Sequence, residues 1–220
     1  MRALARIVFR TQYNPNTSSI WCASVAQLMN YITILTMIIA GAALIREQER
    51  GTSEHLLVVP VTAHQIVISK ILANGRIVLV GAILCLIFLI QGALGVPIAG
   101  SVMLFLFGPT VYTVSIASLG ILLATVSGFM ARFGLLATPV IVVMLLLSGG
   151  FTPMESMPLR TQYVVHFVGP APHFVSFSQA VLHRGTDVAF VWPQITAFAV
   201  FGAIYYAITL SQFRKLLLSG

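Results

Sequence analysis

The chain has 220 residues, of which 58% are hydrophobic and only 8% are charged, and its mean hydropathy is +0.98. A soluble domain carries about 25% charged residues, so this composition excludes an ordinary soluble domain and indicates an integral membrane protein. The formal net charge of +7 does not call for nucleic acid as a partner, because arginines and lysines that flank membrane spans act as topology signals.

The first residues are polar and basic. Arg6–Tyr13 alternates loosely between apolar and polar side chains and is followed by the turn-forming Asn14–Asn16, which fits a short strand. Arg2, Arg6 and Arg10 are also spaced as on one face of an interfacial helix, so both readings stay open, with the strand slightly favoured.

Four long, predominantly apolar stretches of the chain contain no Asp, Glu, Lys or Arg. Each is at or beyond the ~20 residues that cross a hydrocarbon core of ~30 Å, and the second contains two crossings. Backbone groups in lipid must be satisfied within the segment, and the apolar runs lack the alternation of a membrane barrel, so helices are expected. The fold prediction is therefore an all-α integral membrane protein with five spans: Trp21–Ile45, Ile77–Val96, Val102–Met130, Phe133–Gly150 and Val188–Phe213.

A polar island lies between the first two spans, where seven of the seventeen charged residues fall within Arg46–Arg76. Thr62-Ala63-His64-Gln65 fits a helix capping box, and Pro60 argues against one helix running from Arg46. The island thus predicts two short helices that part at Pro60, the second lying along the membrane surface until the chain re-enters at Arg76. Arg50 and Glu54 could form an ordinary surface pair, but so many mixed charges favour a docking site.

Two later features predict packing and topology. Gly120, Ala124 and Gly128 recur every fourth residue of the third span, which lets another helix approach closely. Phe151–Asp187 is proline-rich and its apolar residues are too interrupted for a crossing, which favours short helices that dip into the outer interface. Placing the polar island inside puts the larger share of positive charge in the cytoplasm, so we expect an external N-terminus and a cytoplasmic C-terminus.

Recognisable catalytic chemistry is lacking in the sequence. Its five carboxylates all fall outside the predicted spans, which disfavours an ion-coupled carrier. No histidines or cysteines stand at metal-ligand spacing, and no nucleophile has a base beside it. We therefore expect no catalytic residues and no metal site in this chain.

The segment Ala42–Thr62, with Lys70 eight residues further on, resembles the permease subunits of type-2 ATP-binding-cassette (ABC) exporters. A second stretch, Ser148–Pro158, resembles the link from the penultimate span to the external re-entrant helices of that family. The resemblance implies a cytoplasmic coupling elbow that contacts an ABC ATPase subunit, which would bind ATP and Mg, and an external gate at Pro153, Glu155 and Pro158. The implied coupling residues are Arg46, Glu47, Glu49, Arg50, Gly51, Thr52, Glu54, Pro60 and Lys70.

The chain departs from the family pattern, because such permeases typically have six spans with a large external domain between the first two. We expect residues 1–20 to be the remnant of an external segment and residues 21–220 to be the permease domain. The chain is then either a C-terminal fragment or a short form that relies on another subunit. Leu147-Ser148-Gly149-Gly150 imitates the ATPase signature, but no lysine follows a glycine as a phosphate-binding loop requires.

The resemblance implies a homodimer or paired permease in the inner membrane, in contact with lipid, that couples ATP hydrolysis in its partner to outward transport. A non-transporting membrane scaffold or remnant is the alternative, with an ion-coupled carrier as a third reading. The apolar lining expected of the spans does not distinguish a drug from a lipid or a polymer as substrate.

Overall fold

The computed structural model describes residues 19–49, 62–93, 102–148, 169–184 and 188–219. Within these ranges every regular element is a helix, which confirms the all-α prediction, and five helices are long and apolar enough to cross a membrane. The elements are α1 (Ser19–Glu49), α2 (Ala63–Leu84) continued by a π-helical segment (Cys85–Ala93), α3 (Val102–Ser127), α4 (Met130–Leu147), α5 (Ala171–Arg184) and α6 (Val188–Ser219).

Several predictions fall on residues outside those ranges. They are the choice between a strand and a helix before residue 19, the break at Pro60, and the positions of Arg50, Gly51, Thr52, Glu54, Pro153, Glu155 and Pro158.

Helix α3 is the central helix, and it contacts each of the other five. It carries large side chains that are fully enclosed, such as Tyr112 and Ile116, beside small residues that let neighbouring helices approach. Its Pro109 lies inside the helix, where the neighbouring turns remain helical. Helix α3 therefore takes part in the packing of each of the other helices.

Glycines set the crossing of α1 and α3. A Cβ atom added at Gly120 would lie 2.6 Å from the Met37 carbonyl oxygen, and one added at Gly41 would lie 3.0 Å from the Gly120 carbonyl oxygen. Ala124, one turn further along α3, is fully buried. The two backbones therefore meet at a distance that only small residues permit.

Gly128 differs from its predicted role in helix packing. It lies after the end of α3 with a φ of 75°, and an added Cβ atom would meet nothing within 4 Å in the described chain. A positive φ suits glycine, so this residue ends α3 and lets the chain turn into α4. The third predicted span, Val102–Met130, is accordingly shorter than expected, and α4 begins before the predicted Phe133.

The capping box at the start of α2 is confirmed. The Gln65 N–H donates to Thr62 Oγ1 and the Thr62 N–H donates to Gln65 Oε1. The predicted surface helix that stops at Arg76 is wrong as a separate element, because α2 runs unbroken from Ala63 into the membrane-length segment. Its apolar face is continuous through the predicted break, with Val67, Ile71 and Val78 all buried, so nothing favours a bend at that point.

Buried hydroxyl groups are satisfied mostly within their own helices. Ser118 Oγ donates to the Val114 carbonyl and Thr125 Oγ1 to the Ile121 carbonyl, each at 2.8 Å. Thr209 Oγ1 donates to the Tyr205 carbonyl of its own helix at 2.7 Å and also lies 3.0 Å from the Ser118 carbonyl of α3. Such bonds make these serines and threonines compatible with an apolar bundle, since each hydroxyl has an acceptor in its own helix.

Candidate functional site

Charged side chains gather where α1, α2 and α4 meet at one end of the bundle. Helix α1 does not stop at the last apolar residue, Ile45, but continues through Arg46, Glu47, Gln48 and Glu49. The fully buried Ile45 is followed by the exposed Arg46, so the change from apolar to charged sequence marks the edge of the apolar bundle. We call the charged residues that gather here the elbow cluster: Arg46, Glu47, Glu49, Lys70 and Arg132.

The first contact in the elbow cluster joins α1 to α2. Lys70 Nζ donates to Glu47 Oε2 in an ion pair, with the lysine side chain 10% exposed and the glutamate 46% exposed. The lysine stem is buried against the bundle and its backbone carbonyl accepts a hydrogen bond of 2.9 Å from Asn74 Nδ2. Because one partner is nearly enclosed, the pair is more than a solvated surface contact.

The second contact joins α1 to α4. Glu49 Oε1 accepts a hydrogen bond of 3.0 Å from the N–H of Met130, the first residue of α4. Phe129 occupies the N-cap position of α4 and supplies no side-chain hydrogen bond. The first N–H groups of a helix have no partner within it, and its N-terminus favours negative charge. Glu49 therefore caps α4 from another helix.

The turn between α3 and α4 adds an exposed surface beside this cap. The Phe129 side chain is 50% exposed, and the Arg132 guanidinium lies over its ring at 5.6 Å from the centroid. Met130 is exposed as well. An aromatic ring, a thioether and a cation are thus presented next to Glu49, a combination that suits either a membrane interface or a protein partner.

The opposite end of the bundle is closed by α5. Phe174 stacks on Tyr112 of α3 with ring centroids 3.7 Å apart, and Phe177 lies over Gly108, where any larger residue would clash with its ring. Ser178 Oγ donates to Met29 Sδ of α1 at 2.8 Å. This short helix is therefore packed against α1 and α3, and its predicted dip into the outer interface stays a prediction.

Two polar contacts lie near α5. Tyr112 OH and Thr33 Oγ1 are 2.8 Å apart, and Ser148 Oγ donates to Asn30 Oδ1 at 3.2 Å. The hydroxyl groups of Thr33, Ser148 and Ser178 each also have an acceptor in their own helix, the carbonyls of Met29, Leu145 and Phe174. These contacts join α1 to α3, α4 and α5 at the end of the bundle away from the elbow cluster.

Two cavities between the helices are apolar. One of about 350 Å³ lies among α3, α4, α5 and α6, lined by residues such as Leu119, Met144, Pro172 and Tyr205. Another of about 340 Å³ lies among α2, α3 and α6. In the part of the chain that the structure describes, no group of His, Cys, Asp or Glu residues is placed to hold a metal ion.

The structure brings together three of the predicted coupling residues, Glu47, Glu49 and Lys70, and leaves Arg46 exposed beside them. The sequence analysis did not place Phe129, Met130 and Arg132 in this cluster, because it continued the third span through Met130. The sequence signal for this turn is Gly128, which is followed by the charged Arg132 four residues later.

Five membrane-length helices, one of them central and in contact with the others, and charges gathered at one end define a helical multi-span membrane protein. The model of the ABC-2 type transporter family matches residues 3–183, and the chain belongs to that family.

Known permeases resemble the chain along most of its length. It is 41% identical over 212 residues to the "Inner membrane transport permease YhhJ" of Escherichia coli (strain K12), an alignment that covers 96% of this chain and 56% of that protein. Against the "Probable multidrug ABC transporter permease YbhR" of the same strain it is 28% identical over 211 residues, covering 96% of this chain and 57% of the relative. The chain thus spans little more than half the length of these relatives.

Proposed function

We propose that the chain is a permease subunit of an ABC exporter of the inner membrane, driven by ATP hydrolysis in a separate ATPase subunit. Membership of the ABC-2 family and similarity to proteins named as transport permeases support this proposal. ATP and Mg are bound by the partner, and this chain contributes the membrane path and the contacts that receive the partner's motion.

The observation that carries the proposal is the elbow cluster. The end of α1 that follows its last apolar turn is tied to α2 through Glu47 and Lys70, and to α4 through Glu49. A partner that presses on this end of α1 therefore acts on three membrane helices at once. Coupling needs contacts that differ between two states, and a cluster that joins several helices by polar contacts is suited to that role.

The partner-facing part of the elbow consists of the remaining predicted coupling residues. In our proposal the ATPase contacts the exposed Arg46 together with four residues outside the described ranges, Arg50, Gly51, Thr52 and Glu54. Pro60 separates this contact from the capped start of α2. The dense mix of charge in so apolar a chain supports a docking role over mere solvation.

The proposed orientation follows from the same cluster. The elbow cluster and the turn at Gly128 face the cytoplasm, the N-terminus is external and the C-terminus is cytoplasmic. Substrate leaves on the opposite side, where α5 and the residues Pro153, Glu155 and Pro158 form the gate. Two permease chains pair within the lipid, as a homodimer or with a related chain.

The test is charge reversal at the proposed docking surface. The chain is co-expressed with the ABC ATPase of a neighbouring reading frame, and association and ATPase turnover are measured in proteoliposomes. Arg46→Glu and Glu54→Lys are expected to lose the complex, while Asp187→Lys, a carboxylate outside the elbow, is expected to keep it. Unchanged association and unchanged ATPase turnover in both elbow variants would contradict docking at these residues. If the unmodified chain binds the ATPase without any effect on its turnover, a non-transporting scaffold is favoured.

A further inference from the structure

We infer that Glu49 is a positioning residue that fastens the elbow to α4, and that it does not contact the ATPase partner. The inference rests on the proposed function for its consequence in transport, but its structural basis is independent of any partner. It also changes the role of one residue that the sequence pattern assigns to the docking surface.

The geometry of α4's first turn carries this assignment. Glu49 Oε1 lies 3.0 Å from the Met130 nitrogen, and the N-cap residue Phe129 gives α4 no side-chain acceptor. The φ and ψ of Phe129, −148° and 158°, are the extended values of an N-cap position, where a serine, threonine or aspartate side chain would ordinarily accept a hydrogen bond from the N–H of Ala131 or Arg132. The helix therefore has a normal start with its cap supplied by a residue 81 positions away in the chain.

The turn at Gly128 lies beside this contact, so the cap also links the end of α1 to the place where the chain turns from α3 into α4. Gly128, with its φ of 75°, forms the turn between α3 and α4, and an added Cβ atom there would meet nothing within 4 Å in the described chain. The bond from the Met130 N–H to Glu49 is a polar contact that joins α1 to α4 at this end of the bundle. Displacement of the α1 end therefore acts directly on the start of α4.

The first arm of the test uses the permease alone. Glu49→Ala is expected to lower the unfolding temperature of the purified chain by about 2–4 °C, the shift that loss of one helix cap causes in a protein of this size. Phe129→Ser in the same background is expected to restore that temperature, because the serine hydroxyl caps α4 locally. An unchanged unfolding temperature in Glu49→Ala would overturn the inference.

Proximity is tested separately by cross-linking in membranes, with Cys22 and Cys85 replaced by alanine. A short bifunctional thiol reagent is expected to join Glu49→Cys to Met130→Cys. The control pair is Glu49→Cys with Leu135→Cys, a largely exposed position deeper in α4, and it is expected to stay unlinked. Equal reaction of the two pairs, or reaction of neither, would contradict the contact.

The second arm adds the ATPase subunit and separates fastening from docking. Glu49→Ala is expected to bind that subunit with unchanged Kd but to lower permease-stimulated turnover at least about fivefold. Glu49→Ala with Phe129→Ser is expected to regain stability and not turnover, since a local cap no longer joins α4 to α1. Weakened Kd with unchanged stability, or recovery of turnover in the double variant, would overturn the inference. If the unmodified permease does not stimulate ATPase turnover, the proposed function fails. The unfolding temperatures of the first arm then still decide whether Glu49 caps α4.

Discussion

Glu47 and Glu49 lie two positions apart on α1, and positions so spaced point to different sides of a helix. The structure uses both sides, because Glu47 pairs with Lys70 of α2 while Glu49 reaches the start of α4. The sequence analysis found both carboxylates by their unusual density of charge. It could not assign their partners, since a hydrogen bond to a backbone N–H 81 residues away leaves no trace in side-chain chemistry.

The pair between Glu47 and Lys70 predicts a rescue by charge exchange. Lys70→Glu alone is expected to destabilise the chain by about 1–2 kcal/mol, because it places two carboxylates together at a nearly enclosed position. Glu47→Lys with Lys70→Glu should recover most of that loss in thermal unfolding of the purified permease. Failure of the exchange to recover stability would show that these side chains do not pair.

Gly120 predicts a steric effect at the crossing of α1 and α3. Gly120→Leu is expected to destabilise the chain by about 1–3 kcal/mol, because its Cβ would lie 2.6 Å from the Met37 carbonyl oxygen and the helices must separate. Gly134→Ala, with open space around it, serves as the control and should be neutral or stabilising by up to about 1 kcal/mol. Equal effects of the two substitutions in denaturation experiments would argue against a close crossing.

At the scale of elements, the sequence predicted the five membrane-length helices and the capped start of α2 well, because hydropathy and capping act locally. It failed where tertiary packing decided the outcome. Arg76 suggested that a surface helix ends and the chain re-enters the membrane there, but the buried face through Val67, Ile71 and Val78 keeps α2 continuous. The every-fourth-residue pattern was misleading at Gly128, since a glycine that permits close packing also permits a turn.

The packing of α5 predicts that this helix separates from the bundle more readily when an aromatic side chain that anchors it is removed. Phe177→Ala is expected to destabilise the docking of α5 by about 3–5 kcal/mol, because it empties the space over Gly108. The measurement is the rate at which a thiol reagent modifies Ser178→Cys, a fully buried position on the same helix. Modification should accelerate in Phe177→Ala and not in Phe190→Ala, which removes an exposed phenylalanine of α6. Equal rates in these two variants and in the chain with Ser178→Cys alone would mean that the docking of α5 does not depend on Phe177.

At the scale of the whole molecule, the proposed topology places both the start of α2 and the turn between α3 and α4 in the cytoplasm. In a chain without its native cysteines, an impermeant maleimide should label Phe190→Cys in intact spheroplasts. It should label Gln65→Cys and Phe129→Cys only after the membrane is opened, since all three positions are exposed in the structure. Labelling of Gln65→Cys and Phe129→Cys from opposite sides would contradict the arrangement of spans.

The hydroxyl groups that cross between helices share one property with consequences for motion. Thr33, Ser148, Ser178 and Thr209 each contact a neighbouring helix and also have an acceptor in their own helix. When neighbouring helices slide, such a hydroxyl can rotate to the carbonyl of its own helix and keep a hydrogen bond, so it is not left unpaired in lipid. At these four positions shear is opposed chiefly by apolar contacts, whereas the ion pair and the helix cap of the elbow cluster oppose it by polar contacts.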